Sequence, residues 1–296
     1  SVEDSYPAGD DVLAVYTIAD GKCTRADENA PAPYHVIRER ADSSYVDVLR
    51  KDITEKFIAA THEEYKKRLG EDFGGAVPAI FTDEPNADHE AVISLPDPWH
   101  TGRIKWGWSR FFEEEYRKDY GEDLLDRLPE LLWNRADGSD SVVKYRFFRL
   151  RTRLFAENFW EQIDTWCKES GIQLTGHLLR EPKLMEQAIC SGDNMVCYSK
   201  YQMPGIDMLC ARREFTTAKM AQSAVHQYGR EALMSELYGV TGWNFDFRGH
   251  KLHGDWQAAL GVTVRDMAEA YACFANGGYH IDSHAVTKIE YRSTGE

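Results

Sequence analysis

Pairing signals for cysteine are missing from this sequence. The six cysteines, Cys23, Cys167, Cys190, Cys197, Cys210 and Cys273, form no C-x-x-C pair, and no Cys/His group has zinc-ligand spacing. That argues against a zinc module and a dithiol redox centre and leaves scattered core thiols, a pattern that slightly favours a reducing, cytoplasmic location. No apolar run is long enough to cross a membrane, and SVEDSYPAGD is not a signal peptide. The opening lacks an initiating Met, as expected of a fragment or a processed product. Positive charge is also short: 35 basic residues face 49 acidic ones, a net charge of −14. Such a surface repels phosphate backbones, so nucleic acid is not an expected partner, whereas neutral sugars are not repelled. No G-x-G-x-x-G or Walker A motif follows any strand, so neither a nucleotide nor another organic cofactor is expected. Internal repeats and low-complexity stretches are absent as well.

What remains is an ordinary globular composition over 296 residues, enough for one large α/β domain or two small ones. Residues 11–18 and 34–40 have strand character, separated by a Pro/Asp/Asn-rich loop. Asp52 and Glu55 have capping-box spacing before a helix in which Ile53, Phe57, Thr61, Tyr65 and Leu69 recur every four residues, with Gly70 as the stop. Residues 77–82 (VPAIFT) form a buried-type strand. Residues 86–103 then make a long polar loop containing Trp99 and His100, with Trp106 and Trp108 just after it. Helices are expected at 106–120, 122–134 and 142–168. Beyond these the rhythm is regular: strands 172–177, 205–209 and 232–237 alternate with helices 182–190, 214–228 and 250–259. Alternation of this kind predicts a parallel sheet with right-handed crossovers.

Each of these strands is apolar until its C-terminal end and then turns ionisable. The ends carry Asp83 and Glu84, His177, Asp207 and Glu236. In a parallel barrel all such ends share one face, where loops build the active site. An open doubly wound sheet would use one crevice instead, and several polar ends fit a barrel better. Two carboxyl groups with different environments suit glycosidic cleavage, which needs an acid for the leaving oxygen and a second carboxylate for the opposite face. A salt bridge or a helix cap is the bland alternative for either glutamate alone.

The segments FTDEP, TGHLL, MPGIDML, QSAVHQYG, LMSELYGVTGWN and HGDWQAALGV occur in that order. Their series resembles the bacterial α-L-rhamnosidases of glycoside hydrolase family 106 and their relatives, over about residues 10–262. The resemblance implies a (β/α)8 TIM-type barrel, incomplete at both ends, with a helical excursion after the strand carrying Asp83 and Glu84. It implies N-terminal strands over 1–40, a barrel core over 41–260 with a helical insertion at about 86–140, and a foreign-looking segment over 261–296. It further implies inverting cleavage of terminal α-L-rhamnosyl groups, with calcium in the site. Glu84 would be the general acid and Glu236 the general base, with the two roles open to exchange. His177, Asp207, Tyr238 and Trp243 would contact the sugar, and Asp83 would bind metal or hold Glu84. Arg180 stands before Glu181 where the relatives continue with acidic residues, which puts metal binding and substrate choice in question.

Residues 261–290, with R-D-M-A-x-A-Y-A-x-F-A-N-G-G, resemble instead a segment of a class A penicillin-binding protein transpeptidase domain, as in a chimeric or misjoined chain. No K-T-G box accompanies them, and Ser141-Val-Val-Lys144 is a chance match to S-x-x-K. His250 and His253 look like a surface helix pair, His226 like a packing histidine, and Glu113-Glu114-Glu115 like a solvated face. The aromatic loop could hold an aglycone or act as an apolar latch. Two functions stay open: a glycosidase, or an inactive carbohydrate-binding or truncated barrel fragment. Nothing in the sequence sets an oligomeric state.

Overall fold

The structure is a computed structural model that describes residues 1–39, 45–87, 91–96, 103–109, 111–132, 135, 137–209 and 213–262. The transpeptidase-like residues from 263 onward, Cys210, Cys273, Trp99 and His100 lie outside the described residues.

An antiparallel sheet comes first. Strands β1 (Val2–Glu3), β2 (Val12–Ala19), β3 (Lys22–Arg25) and β4 (Tyr34–Arg38) lie in the order β1-β4-β2-β3. Tyr16 is fully buried from β2, and its hydroxyl donates to the Leu125 carbonyl, which ties this sheet to the helical region.

Helix α1 (Lys51–Phe57) runs through a π-helical stretch (Ile58–His62) into α2 (Glu63–Leu69). The expected capping box is not formed. Arg50 is the N-cap residue, no side chain caps the helix, and Asp52 pairs instead with the Arg50 guanidinium at 2.9 Å. Strand β5 (Ala79–Thr82) follows.

The long loop expected after β5 contains a β-hairpin, β6 (Ala91–Pro96) with β7 (Arg103–Trp108). The first expected helix therefore starts later, as α3 (Phe112–Tyr120), and the second is broken at Pro129 into α4 (Leu124–Arg127) and α5 (Pro129–Leu132). Trp108 is buried, with its ring 5.4 Å from Phe112 and 6.2 Å from Phe147, so this member of the aromatic loop belongs to the core.

The helix expected at 142–168 is present as α6 (Val142–Phe155), a π stretch (Ala156–Trp160) and α7 (Glu161–Glu169). Ser141 caps it by accepting from the Val143 amide, a structural role. Phe147, Leu150, Leu154, Phe159 and Ile163 on its inner face fill the main core with Trp160 and Tyr201. The Glu113–Glu115 run is not wholly solvated: Glu115 is buried and accepts from Arg153 at 2.7 Å.

The alternating part then runs β8 (Gln173–Gly176), α8 (Leu184–Cys190), α9 (Asn194–Tyr198), β9 (Met203–Asp207), α10 (Thr216–Tyr228), β10 (Met234–Glu236) and α11 (Phe247–Ala259). Four strands pair in parallel in the order β10-β9-β8-β5. The described residues thus hold a curled parallel sheet of a partial α/β barrel. A second, smaller core joins β9, α10 and α11 through Ile206, Ala218 and Ala221, with Trp256 of α11 packed against it. His253 turns inward from α11, with Nε2 2.6 Å from the Met208 carbonyl oxygen, and is no surface residue. His226 is exposed rather than packed.

Candidate functional site

The four parallel strands end on one side, and close packing of β5, β8 and β9 brings those ends together. A Cβ on Gly176 would lie 2.1 Å from the Thr82 carbonyl oxygen, and one on Gly205 would lie 2.3 Å from the Gly176 carbonyl oxygen. Gly176 also has φ +131°, which side-chain-bearing residues rarely adopt. Only glycine lets these backbones approach so closely. The His177 amide then donates to the Thr82 carbonyl at 3.3 Å, which sets His177 beside Asp83 and Glu84.

His177 is the centre of the arrangement. It is 1% exposed, and its Nε2 lies 2.8 Å from Glu236 Oε2 and 3.1 Å from Asp83 Oδ1. One ring N–H there can serve both carboxylates. Asp83, His177 and Glu236 bring one donor atom each within 4.8 Å of one another, and Glu84, His177 and Asp207 do the same. The residues expected from the strand ends are therefore gathered around one imidazole.

Their environments differ. Burial is the main force that raises the Glu84 carboxyl above its usual range; His177 opposes it, and the charges of Asp207, Asp83 and Glu236 add to it. Asp207 is raised in the same way, first by burial, against His177, with Glu236 and Asp83 adding to it. Glu84 also sits at φ +43°, in the left-handed region, a strained conformation of the kind that clusters at working sites. A carboxyl whose protonated form is favoured in this way is a group able to give a proton.

The remaining expected residues are less close. The Tyr238 ring lies 4.8 Å from that of His250, tilted by 56°, and, with Leu237, Gly239 and Phe247, lines a 450 Å³ depression after β10. Trp243 is fully exposed in the loop that follows, so it is not packed into the cluster. Arg180 is exposed at φ +59°, while its neighbour Glu181 is buried beneath the site. Sequence reasoning met Glu181 only as the residue after Arg180.

Asp83, His177 and Glu236 make a metal-sized set. Calcium takes about six to eight oxygen ligands, whereas an imidazole with two carboxylates suits a borderline transition ion. The expected calcium thus finds oxygens here but shares the space with a nitrogen that is not its ligand, so this donor set does not fit calcium.

No family model matches this sequence, and no curated protein matches it. The fold is similar to that of a solved rhamnosidase from Novosphingobium sp. PP1Y, with a TM-score of 0.54 and 19% identity. The similarity covers 79% of this chain and 21% of that one, so this chain spans about a fifth of its structural neighbour. At this identity the likeness is one of fold.

Proposed function

We propose that the cluster is the acid/base centre of a glycoside hydrolase acting on terminal α-L-rhamnosyl or similar deoxy-sugar linkages. The observation that carries this reading is the gathering of Asp83, Glu84, Asp207 and Glu236 around buried His177 at adjacent strand ends. Glu84, whose carboxyl burial raises above its usual range, gives its proton to the glycosidic oxygen as the bond from the anomeric carbon breaks. Glu236, oriented by the His177 N–H, takes a proton from the water that attacks the opposite face. The products are an alcohol and a free sugar with inverted anomeric configuration. His177 and Asp207 line the sugar pocket in this reading. Tyr238 and exposed Trp243 offer rings at its edge, where a sugar face could cover them. The barrel itself would be a (β/α)8 one, of which the four described strands are part.

Proton NMR of the first product formed from an aryl α-L-rhamnoside tests this reading. The β-anomer is expected first. Initial release of the α-anomer would replace inversion by retention and make one glutamate a nucleophile.

A second reading, an inactive carbohydrate-binding or truncated fragment, is favoured by one observation. Strands β5 and β10 are the outer members of the parallel sheet and pair with no further strand among the described residues. Beside β5 lies a 610 Å³ apolar groove lined by Phe57, Tyr65, Phe73 and Phe81. Absence of turnover together with retained sugar binding would select this reading.

A further inference from the structure

Glu181 is 2% exposed and lies under the strand ends, between β9 and α9. Its Oε2 accepts from the Asp207 amide at 3.0 Å. Its Oε1 lies 2.9 Å from Tyr198 Oη, and that oxygen lies 2.8 Å from the Gly205 carbonyl oxygen. A tyrosine hydroxyl has one hydrogen. If Glu181 is a carboxylate, Tyr198 faces two acceptors with one proton, and one contact is left as two buried oxygens facing each other. If Glu181 carries a proton on Oε1, each hydrogen of this Tyr198 and Asp207 set is used once. The acid O–H donates to Tyr198 Oη, Tyr198 O–H donates to the Gly205 carbonyl, and Oε2 accepts from the Asp207 amide.

We propose that Glu181 is a neutral carboxylic acid and a positioning residue, clamping the end of β9 so that Asp207 is held beside His177. The titratable groups that face it are Asp207 on β9, Tyr198 on α9 and Tyr201 just beyond that helix. None of these is a cation, so among the described residues a charge on Glu181 would be buried without a counter-cation. Burial accordingly pushes the Glu181 carboxyl up to about 8, against the Asp207 amide, Tyr198 and the Leu178 backbone, which pull it down. The neutral form therefore holds at neutral pH, and the clamp loosens as pH rises through that value. The link to catalysis rests on the hydrolase reading; the proton does not.

Infrared difference spectroscopy between the wild-type chain and Glu181→Gln tests the proton without any turnover. At pH 7 the wild type is expected to show a carboxylic-acid C=O band that is missing from Glu181→Gln and fades above pH 8. Hydrogen exchange at the Asp207 amide tests the clamp. Gln can donate to Tyr198 and accept from Asp207, so exchange in Glu181→Gln should stay within about threefold of wild type. In Glu181→Ala it should accelerate by an order of magnitude or more. A wild-type spectrum at pH 7 with no acid band assignable to Glu181, or exchange in Glu181→Gln as fast as in Glu181→Ala, overturns the proposal. Should Glu181→Gln fail to fold, carboxyl-labelled glutamate NMR of the wild type decides the same question. A solvent-protected glutamate resonance at its acid position at pH 7 supports the proton, and its absence removes it.

Discussion

At the scale of single residues, the division of labour turns on Glu84 and Glu236. Glu84 is lifted chiefly by burial and then by three neighbouring carboxylates, while His177 donates to Glu236. An acid works only while protonated. Its raised pKa extends that form upward in pH, so kcat/KM should fall on the alkaline side as pH rises through the Glu84 pKa. Glu84→Gln should remove this alkaline limb. It should also lose least on aryl glycosides whose phenolate departs without help. pH profiles of both proteins, on substrates with good and poor leaving groups, check this. An alkaline limb unchanged in Glu84→Gln would assign it to another group.

At the scale of elements, the site depends on how closely strands β8 and β9 approach. Gly205→Ala would drive a methyl group toward the Gly176 carbonyl oxygen, now 2.3 Å from the ideal Cβ position, and backbone cannot swing aside as a side chain can. Urea unfolding should show a loss of about 1–3 kcal/mol, the usual cost of overpacking. Exchange at the His177 amide should rise with it, and an unchanged midpoint would show that the sheet yields easily. The strand ends were legible because each apolar run stops at an ionisable group. That pattern located Asp83, Glu84, His177, Asp207 and Glu236 without any knowledge of their contacts. Features set by distant partners were not legible. Glu115 looked solvated because Arg153, its partner, stands 38 residues away. The hairpin of β6 and β7 was hidden in a polar, proline-containing stretch without clean alternation. Asp52 had cap spacing, but the helix begins two residues earlier than that cap requires, and Arg50 takes the carboxylate. Glu181 carried no signal, since nothing local distinguishes a buried acid from an exposed one in a turn.

At the scale of the whole molecule, a net charge of −14 surrounds a site that is itself acidic. Such a field disfavours anionic ligands and leaves neutral sugars unaffected, in keeping with the proposed substrate class. The described residues supply the parallel sheet of a partial α/β barrel with ionisable strand ends gathered at one corner, and the chain spans about a fifth of the solved rhamnosidase it resembles in fold (21%). Whether that corner is a working centre is the central claim. Its most direct test is the rate of aryl α-L-rhamnoside hydrolysis by the wild-type chain, Glu84→Gln and Glu236→Gln, at the wild-type pH optimum and with circular dichroism to confirm folding. The paired-carboxylate account predicts measurable turnover by the wild type and a loss of about 10²–10⁴-fold in kcat for each variant on a poor leaving group. No turnover by the wild type, or variants as active as the wild type, would contradict it.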